Sequence, residues 1–394
     1  MSGYVFPNDL EVHWRLFIVL YPYITGIVAG AFIVSSLYHV FGKSELKPLA
    51  RLSLLTSLAF LFCASFPLLS HLGQPLRALN IMMTPHLTSA MAGFGFIYTF
   101  FLILCLLETW FLFREDIVKF ADSSKGSVKL FYSILTLGAK DVSPEALDKD
   151  HRIVKVLATI GIPAAFFLTG YVGFIFGSIK ANVWNSTPLM PIIFILSATV
   201  SGVALLIVLY RVVNWIRRVK IDMPCLMSLN SYLWIFLLTA TILEVLEVLQ
   251  MGYEGRAEWP MIYGLITQHI SLSYLVIQMG IGVLVPLILL PLGRSKRFSM
   301  RIKQTLTTLS GALVLIGVLA MRFNVVIGGQ LISKSMAGYI SYDWTLFRHE
   351  GIIPDMVLLL LPLLILAVLV RVLPPWFGEL KGPKKQADDV SPLK

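Results

Sequence analysis

Residues Leu16–Phe41 read LFIVLYPYITGIVAGAFIVSSLYHVF and contain no Asp, Glu, Lys or Arg. A run this long decides the fold, because roughly 20 apolar residues in a helix cross a hydrocarbon core of ~30 Å. The stretch does not alternate apolar and polar residues in the short segments of a membrane barrel. Eight further runs of the same kind follow, from Leu52 to Leu72, Ser89 to Phe113, Ile153 to Gly177, Pro188 to Tyr210, Ser231 to Leu249, His269 to Leu292, Thr305 to Met321 and Pro354 to Val372. The chain of 394 residues is 57% hydrophobic and 14% charged, with a mean hydropathy of +0.80, values that exclude a soluble multidomain protein. The expected fold is all-α: a polytopic membrane protein of nine spans, with room for a tenth.

Charge sets the orientation. With the N-terminus outside, 25 of the 32 Lys and Arg residues fall on the inner side, and only Arg15, Arg77, Lys180, Arg256, Arg322, Lys334 and Arg348 lie outside. That asymmetry obeys the positive-inside rule, so the net charge of +10 reports topology and not nucleic-acid binding. The expected place is a bacterial inner membrane, with a periplasmic N-terminus and a cytoplasmic C-terminus. The first span lacks a basic n-region, a small-residue cleavage site and a twin-arginine pair, and reads as a retained helix. Within the inner loop, SVKLFYSILTLG sets Val128, Phe131 and Leu135 on one face of an interfacial helix. The outer segment between Arg322 and Pro354 carries Tyr339, Tyr342, Trp344 and Phe347, an aromatic set suited to the interface or to a docked subunit.

The chain contains a repeat. GIVAGAFIVSSLY in the first span matches SATVSGVALLIVLY in the fifth, and TPHLTSAMAGFGF loosely matches TQHISLSYLVIQM, both opening with Thr-x-His. Two units of four spans each enter with the same orientation and make a parallel repeat of four-helix bundles. The expected divisions are an N-terminal segment over 1–15, a first bundle over 16–178, a second over 187–321, an outer loop over 322–353, an additional transmembrane helix over 354–373 and a polar tail over 374–394.

Ionisable groups inside spans are costly and point to function. Polar residues gather at the outer ends of the first three spans: Tyr21, Tyr23 and Thr25, then His71 and Gln74, Arg77 and Asn80, and finally His86, Thr88 and Ser89. Gly26 and Gly30 allow close helix approach beneath them. A quinone head group requires hydrogen bonds to two carbonyl oxygens and a proton supplier that titrates near ambient pH. His71, with Tyr23 or His86 opposite, meets that requirement. The plainer reading of the same residues is interfacial aromatics and histidines that satisfy helix ends. Glu108 is a snorkelling acid or the mouth of a cytoplasmic proton path. Glu244 and Glu247 share one helix face, with Arg322 and His269 as candidate partners in an ion-pair network. Cys63, Cys105 and Cys225 lie far apart without a CxxC, so neither an iron–sulfur cluster nor a zinc ribbon is expected within this chain, and no metal site is assigned. One haem near the outer histidines is conceivable, whereas a stacked pair across the membrane is not.

These residues resemble the NrfD-like family of quinone-interacting membrane subunits, typified by the polysulfide reductase membrane anchor. The matching stretches are YPYITGIVAGAFIVSSLY from Tyr21, LSHLGQPLRALNIM from Leu69, TPHLTSAMAGFGF from Thr84, TPLMPIIFILSATVSGVALL from Thr187 and MRFNVVIGGQ from Met321. The extra helix is similar to the longer members, and most to the membrane subunit of the periplasmic quinone reductase complex of sulfate reducers. The resemblance implies a haem-free subunit that exchanges two electrons and two protons with a quinone, menaquinone first among them. His71 and Glu108 then handle protons, and Tyr23, Thr25, Gly30, His71, Gln74, Arg77, His86 and Ser89 hold the quinone. It also implies a ferredoxin-like iron–sulfur subunit at the periplasmic face, with a molybdopterin-family subunit and a multihaem cytochrome c in the complex. Many relatives carry Asp-x-Gly-Arg-Pro where this chain has His71-x-Gly73-Gln74-Pro75. The competing expectations are a secondary transporter, which calls for broken helices around a polar midplane pocket, and a non-catalytic membrane anchor.

Overall fold

The computed structural model describes residues 11–86 and 88–376, so the start of the N-terminal segment and most of the expected polar tail lie outside the described residues. Among the described residues, nine helices are long and apolar enough to cross a membrane: Leu16–His39, Ser44–His71, Ala90–Ser123, Pro144–Gly177, Met190–Arg217, Met223–Glu254, Leu272–Arg294, Met300–Gln330 and Ile352–Val372. They are called the first to ninth spans below. The protein is an all-α, multi-pass membrane protein. The end of the bundle at which the first span begins is termed the N-terminal face, and the opposite end the basic face.

Local chemistry places the helix starts. The side chains of Ser89, Ser143, Asp222 and Ser299 accept hydrogen bonds from the backbone N–H three residues on, at 3.3–3.5 Å, and so cap the third, fourth, sixth and eighth spans. The second span breaks after Ala64 and resumes at Phe66. Pro67 causes this, since it has no N–H to offer the carbonyl one turn back and its ring crowds that carbonyl. The seventh span is wound as a wide π-helix over Leu272–Leu284, as is the short segment Leu265–His269 before it, and returns to α-helix at Val285.

The first span is the axis of the molecule, buried at every residue from Phe17 to Ser36. It packs against the second, fourth, fifth and eighth spans, and the fifth packs in turn on the fourth, sixth and eighth. The ninth span lies against the second and the first. Small residues set the closest approaches. A Cβ on Gly30 would stand 2.3 Å from the Ala198 carbonyl oxygen, and one on Gly282 would stand 2.3 Å from the Cα of Gly317. Close backbone contact of this kind is how helices associate where no hydrophobic effect separates them from lipid. The outward faces carry Phe96, Phe100, Ile103, Ile242, Leu246, Val357 and Leu364, all exposed and apolar, as a lipid-facing surface requires.

The interfacial helix of the long loop is present as Gly126–Leu135. Val128, Leu130, Phe131 and Ile134 are exposed, and the buried Tyr132 donates its hydroxyl proton to the Val372 carbonyl at 2.8 Å. Two ion pairs fasten the basic face: Arg51 to Asp116 at 2.5 Å, and Arg114 to Asp150 at 2.6 Å.

Candidate functional site

The outer segment after the eighth span folds back over the N-terminal face. An isolated bridge joins Ile332 to Tyr339, and Ile340 donates to the Leu331 carbonyl at 2.7 Å. Tyr339 donates its hydroxyl proton to the Met261 carbonyl at 2.8 Å and lays its ring on His269, centroids 4.0 Å apart. Farther along, Phe323 and Trp344 stack at 5.3 Å, and the Tyr342 ring stands edge-on to Trp344 at 5.0 Å. The aromatic residues thus build the loop itself, although Trp344 and Phe347 remain exposed.

This segment brings Glu350 to the end of the second span. Nδ1 of His71 lies 2.5 Å from Oε1 of Glu350, with the carboxylate buried and the imidazole about a quarter exposed. His349 stands 3.9 Å from the same oxygen and meets Phe17 edge-on at 5.3 Å. A histidine and a carboxylate at this spacing can share and pass a proton. Around them, Tyr342 is pushed up to about 12 by burial, with the charges of Asp355 and Glu350 adding to the shift and Arg15 opposing it.

The other residues read from the sequence separate into groups. Gln74, Arg77 and His86 lie on the connection between the second and third spans, where Thr88 and His86 meet at 2.8 Å. Ser89 caps the third span. Tyr23 donates to the Leu315 carbonyl on the eighth span at 3.3 Å, Thr25 donates to the Tyr21 carbonyl one turn back at 2.8 Å, and Gly30 sits at the crossing with the fifth span. Tyr21 is buried edge-on against Phe94 at 5.1 Å, its hydroxyl without a partner. The structure therefore joins His71 to the outer segment, and joins Tyr23 and Gly30 to the eighth and fifth spans.

Glu108 is fully buried and neither of its carboxylate oxygens has a hydrogen-bond partner. The third span continues past the expected end at Phe113 to Ser123, so Glu108 lies mid-helix. It is about 28 Å along the axis from Ser89 at ~1.5 Å per residue.

A second polar cluster joins the sixth, seventh and eighth spans. Ser273 donates to Asn324 at 2.6 Å, Asn324 donates to Gln278 at 2.7 Å, and Gln278 donates to Glu244. Arg322 is buried with its guanidinium 3.9 Å over the Phe194 ring and donates to Ser197 at 2.6 Å. The hydrogen-bond partner of Glu244 is thus an amide, and of the two partners expected from the sequence, Arg322 acts on it through its charge without a direct bond. Arg322 is instead bonded to Ser197 over the Phe194 ring, and His269 lies against Tyr339.

Glu350 and Asp355 escaped the sequence reading, and one signal was available. Asp355 stands at the start of an otherwise apolar run, and a carboxylate there is costly enough to mark a site. Among the described residues, no three His, Cys, Asp or Glu side chains stand close enough to share a metal ion.

A family model described as "Polysulphide reductase, NrfD" matches residues 7–334. The chain is 29% identical over 320 residues to a selenate reductase subunit of Mesobacillus selenatarsenatis, a match that covers 80% of this chain and 73% of that protein. It is 30% identical over 225 residues to a putative dimethyl sulfoxide reductase membrane subunit of Halobacterium salinarum, covering 57% of this chain and 49% of that protein. Protein NrfD of Escherichia coli is 23% identical over 335 residues, 81% of this chain and 95% of its own length.

Proposed function

We propose, from the premise that the chain belongs to the NrfD polysulphide reductase family, that it is the quinone-exchanging membrane subunit of a respiratory oxidoreductase complex. The observation that carries this reading is the His71–Glu350 pair, an acid–base couple held at the end of a transmembrane helix. The reaction adds two electrons and two protons to a quinone, menaquinone or another, or removes them from the quinol. Electrons pass to or from a partner protein that bears an iron–sulfur cluster, which docks over the exposed connection at Gln74, Arg77 and His86. His71 exchanges a proton with a quinone carbonyl oxygen, and Ser89 sits beside that connection. Tyr23, Thr25 and Gly30 shape the first span against which the head group rests.

In this reading the N-terminal face is periplasmic, the membrane is the bacterial inner membrane, and further redox subunits of the molybdopterin and multihaem cytochrome c classes complete the complex. Relatives named as subunits of selenate and dimethyl sulfoxide reductases support an oxidoreductase partner. Glu108 supplies the cytoplasmic end of a proton route, and a charge carried across the membrane is worth ~2.3 kcal/mol per 100 mV.

The direct experiment is purification of the native complex in mild detergent, organic extraction and mass spectrometry for quinone. Stoichiometric quinone together with co-purifying redox subunits supports the reading. A lone polypeptide that carries neither points to the transporter.

A further inference from the structure

The family match ends at residue 334, yet the chain beyond it builds a wall of a large apolar cavity at the N-terminal face. This cavity, about 680 Å³, lies between the first, seventh, eighth and ninth spans and the outer segment. Its floor is aliphatic, with Val19, Leu319 and Leu359 among the lining side chains, and Leu272, Ile316 and Met356 stand exposed at its rim. The cavity therefore opens toward the bilayer. Its walls include the aromatic cluster of Phe323, Tyr342 and Trp344.

One polar feature distinguishes this cavity from a gap filled by lipid tails. Asp355, in the first turn of the ninth span, lines it and is only 7% exposed, and neither of its carboxylate oxygens has a hydrogen-bond partner. A carboxyl group buried without partners is costly unless something else satisfies it. Glu350, which holds His71, lies five residues earlier in the chain, and both acids face Tyr342.

We propose that this cavity is the seat of an isoprenoid quinone, admitted sideways from the bilayer, with Asp355 as a head-group contact. The inference rests on the quinone reading and adds its pocket. A planar ring can lie against the aromatic wall of Phe323, Tyr342 and Trp344, and a polyprenyl tail fits the aliphatic floor and leaves through the rim. The Asp355 carboxyl, when it carries a proton, can donate a hydrogen bond to a quinone carbonyl oxygen. A phospholipid is the poorer occupant, because the acids at the polar end disfavour a phosphate. The His71–Glu350 pair stands beside this end and links the head group to the exposed connection.

The test uses the whole complex, purified through this chain. An azido-naphthoquinone with a short prenyl tail is photolysed on it, and the labelled peptides are mapped by mass spectrometry. In parallel, Asp355→Leu, which keeps the side-chain size but can neither donate nor accept a hydrogen bond, and Ala320→Phe, which fills the cavity, are assayed for turnover with a short-chain naphthoquinone. Label within residues 319–359 and a KM raised about tenfold in the variants, with partner subunits still bound, support the proposal. If Ala320→Phe does not assemble, Asp355→Leu and the labelling decide. Label confined to residues 69–89, with KM unchanged in Asp355→Leu, overturns the pocket and leaves the quinone reading standing. No label anywhere, no quinone turnover in the unaltered complex and phospholipid alone recovered from it overturn both.

Discussion

Gly30 of the first span and Gly202 of the fifth meet backbone to backbone. A Cβ on Gly30 would stand 2.8 Å from the Cα of Gly202, and one on Gly202 would stand 2.4 Å from the Cα of Gly30. Neither neighbour is a flexible side chain, so the helices themselves must separate to admit a methyl group. Gly30→Ala and Gly202→Ala are each expected to destabilise the protein by about 1–3 kcal/mol, the usual cost of overpacking, and Leu at either position by more. Thermal unfolding in detergent reads this directly, and an unchanged midpoint in both alanine variants would disprove the contact.

The His71–Glu350 pair predicts coupled losses. His71→Ala removes the proton-exchanging group and Glu350→Gln removes the acid that orients it. Quinone-dependent turnover is expected to fall about 10²-fold or more in His71→Ala, and less in Glu350→Gln, with the partner subunits still co-purifying. A double variant no slower than His71→Ala would show that the two act as one unit. Losses that multiply would show that they act separately.

On the basic face, the Arg114 and Asp150 side chains are 7% and 10% exposed and pair at 2.6 Å. Arg114 also donates to the Asp141 carbonyl at 2.7 Å. Removing one member of a buried pair strands the other, so Arg114→Leu is expected to cost about 3–5 kcal/mol. Arg114→Leu combined with Asp150→Leu should recover part of that loss. Chemical denaturation of the four proteins in one detergent completes the cycle, and additive single losses would rule the pair out.

The Ser273–Asn324–Gln278–Glu244 chain predicts a difference between two substitutions at one site. Glu244→Gln keeps an acceptor for Gln278 and should be nearly neutral for stability. Glu244→Leu leaves the Gln278 amide unsatisfied and should cost about 1–3 kcal/mol. Equal melting temperatures for the two variants would mean that this bond contributes nothing.

All nine spans are legible in the sequence because apolar length is what a bilayer selects. Their ends are less so. The apolar run in the third span stops at Phe113, but the helix continues to Ser123 because Arg114 and Asp116 find partners on neighbouring elements. A charge that ends a hydrophobic run therefore does not end a helix when it is paired. The candidate site divides in the same way. His71 stands out as a titratable residue at a helix end, but its partner lies 279 residues away in a loop with no periodicity. Tyr23 and Gly30 read as part of the same cluster from their depth alone. Which face of a buried helix meets which neighbour is a tertiary property, and in the first span, buried on all sides, no polar stripe reveals it.

The π-helical winding of the seventh span changes which side chains it turns toward its neighbours. Wider turns consume extra residues over the same rise, so over Leu272–Leu284 this span runs out of phase with the regular α-helical third span. The first and fifth spans stay regular and touch at their glycines. A sequence periodicity of about 3.6 residues therefore follows the seam between those two helices and fails along the rewound one.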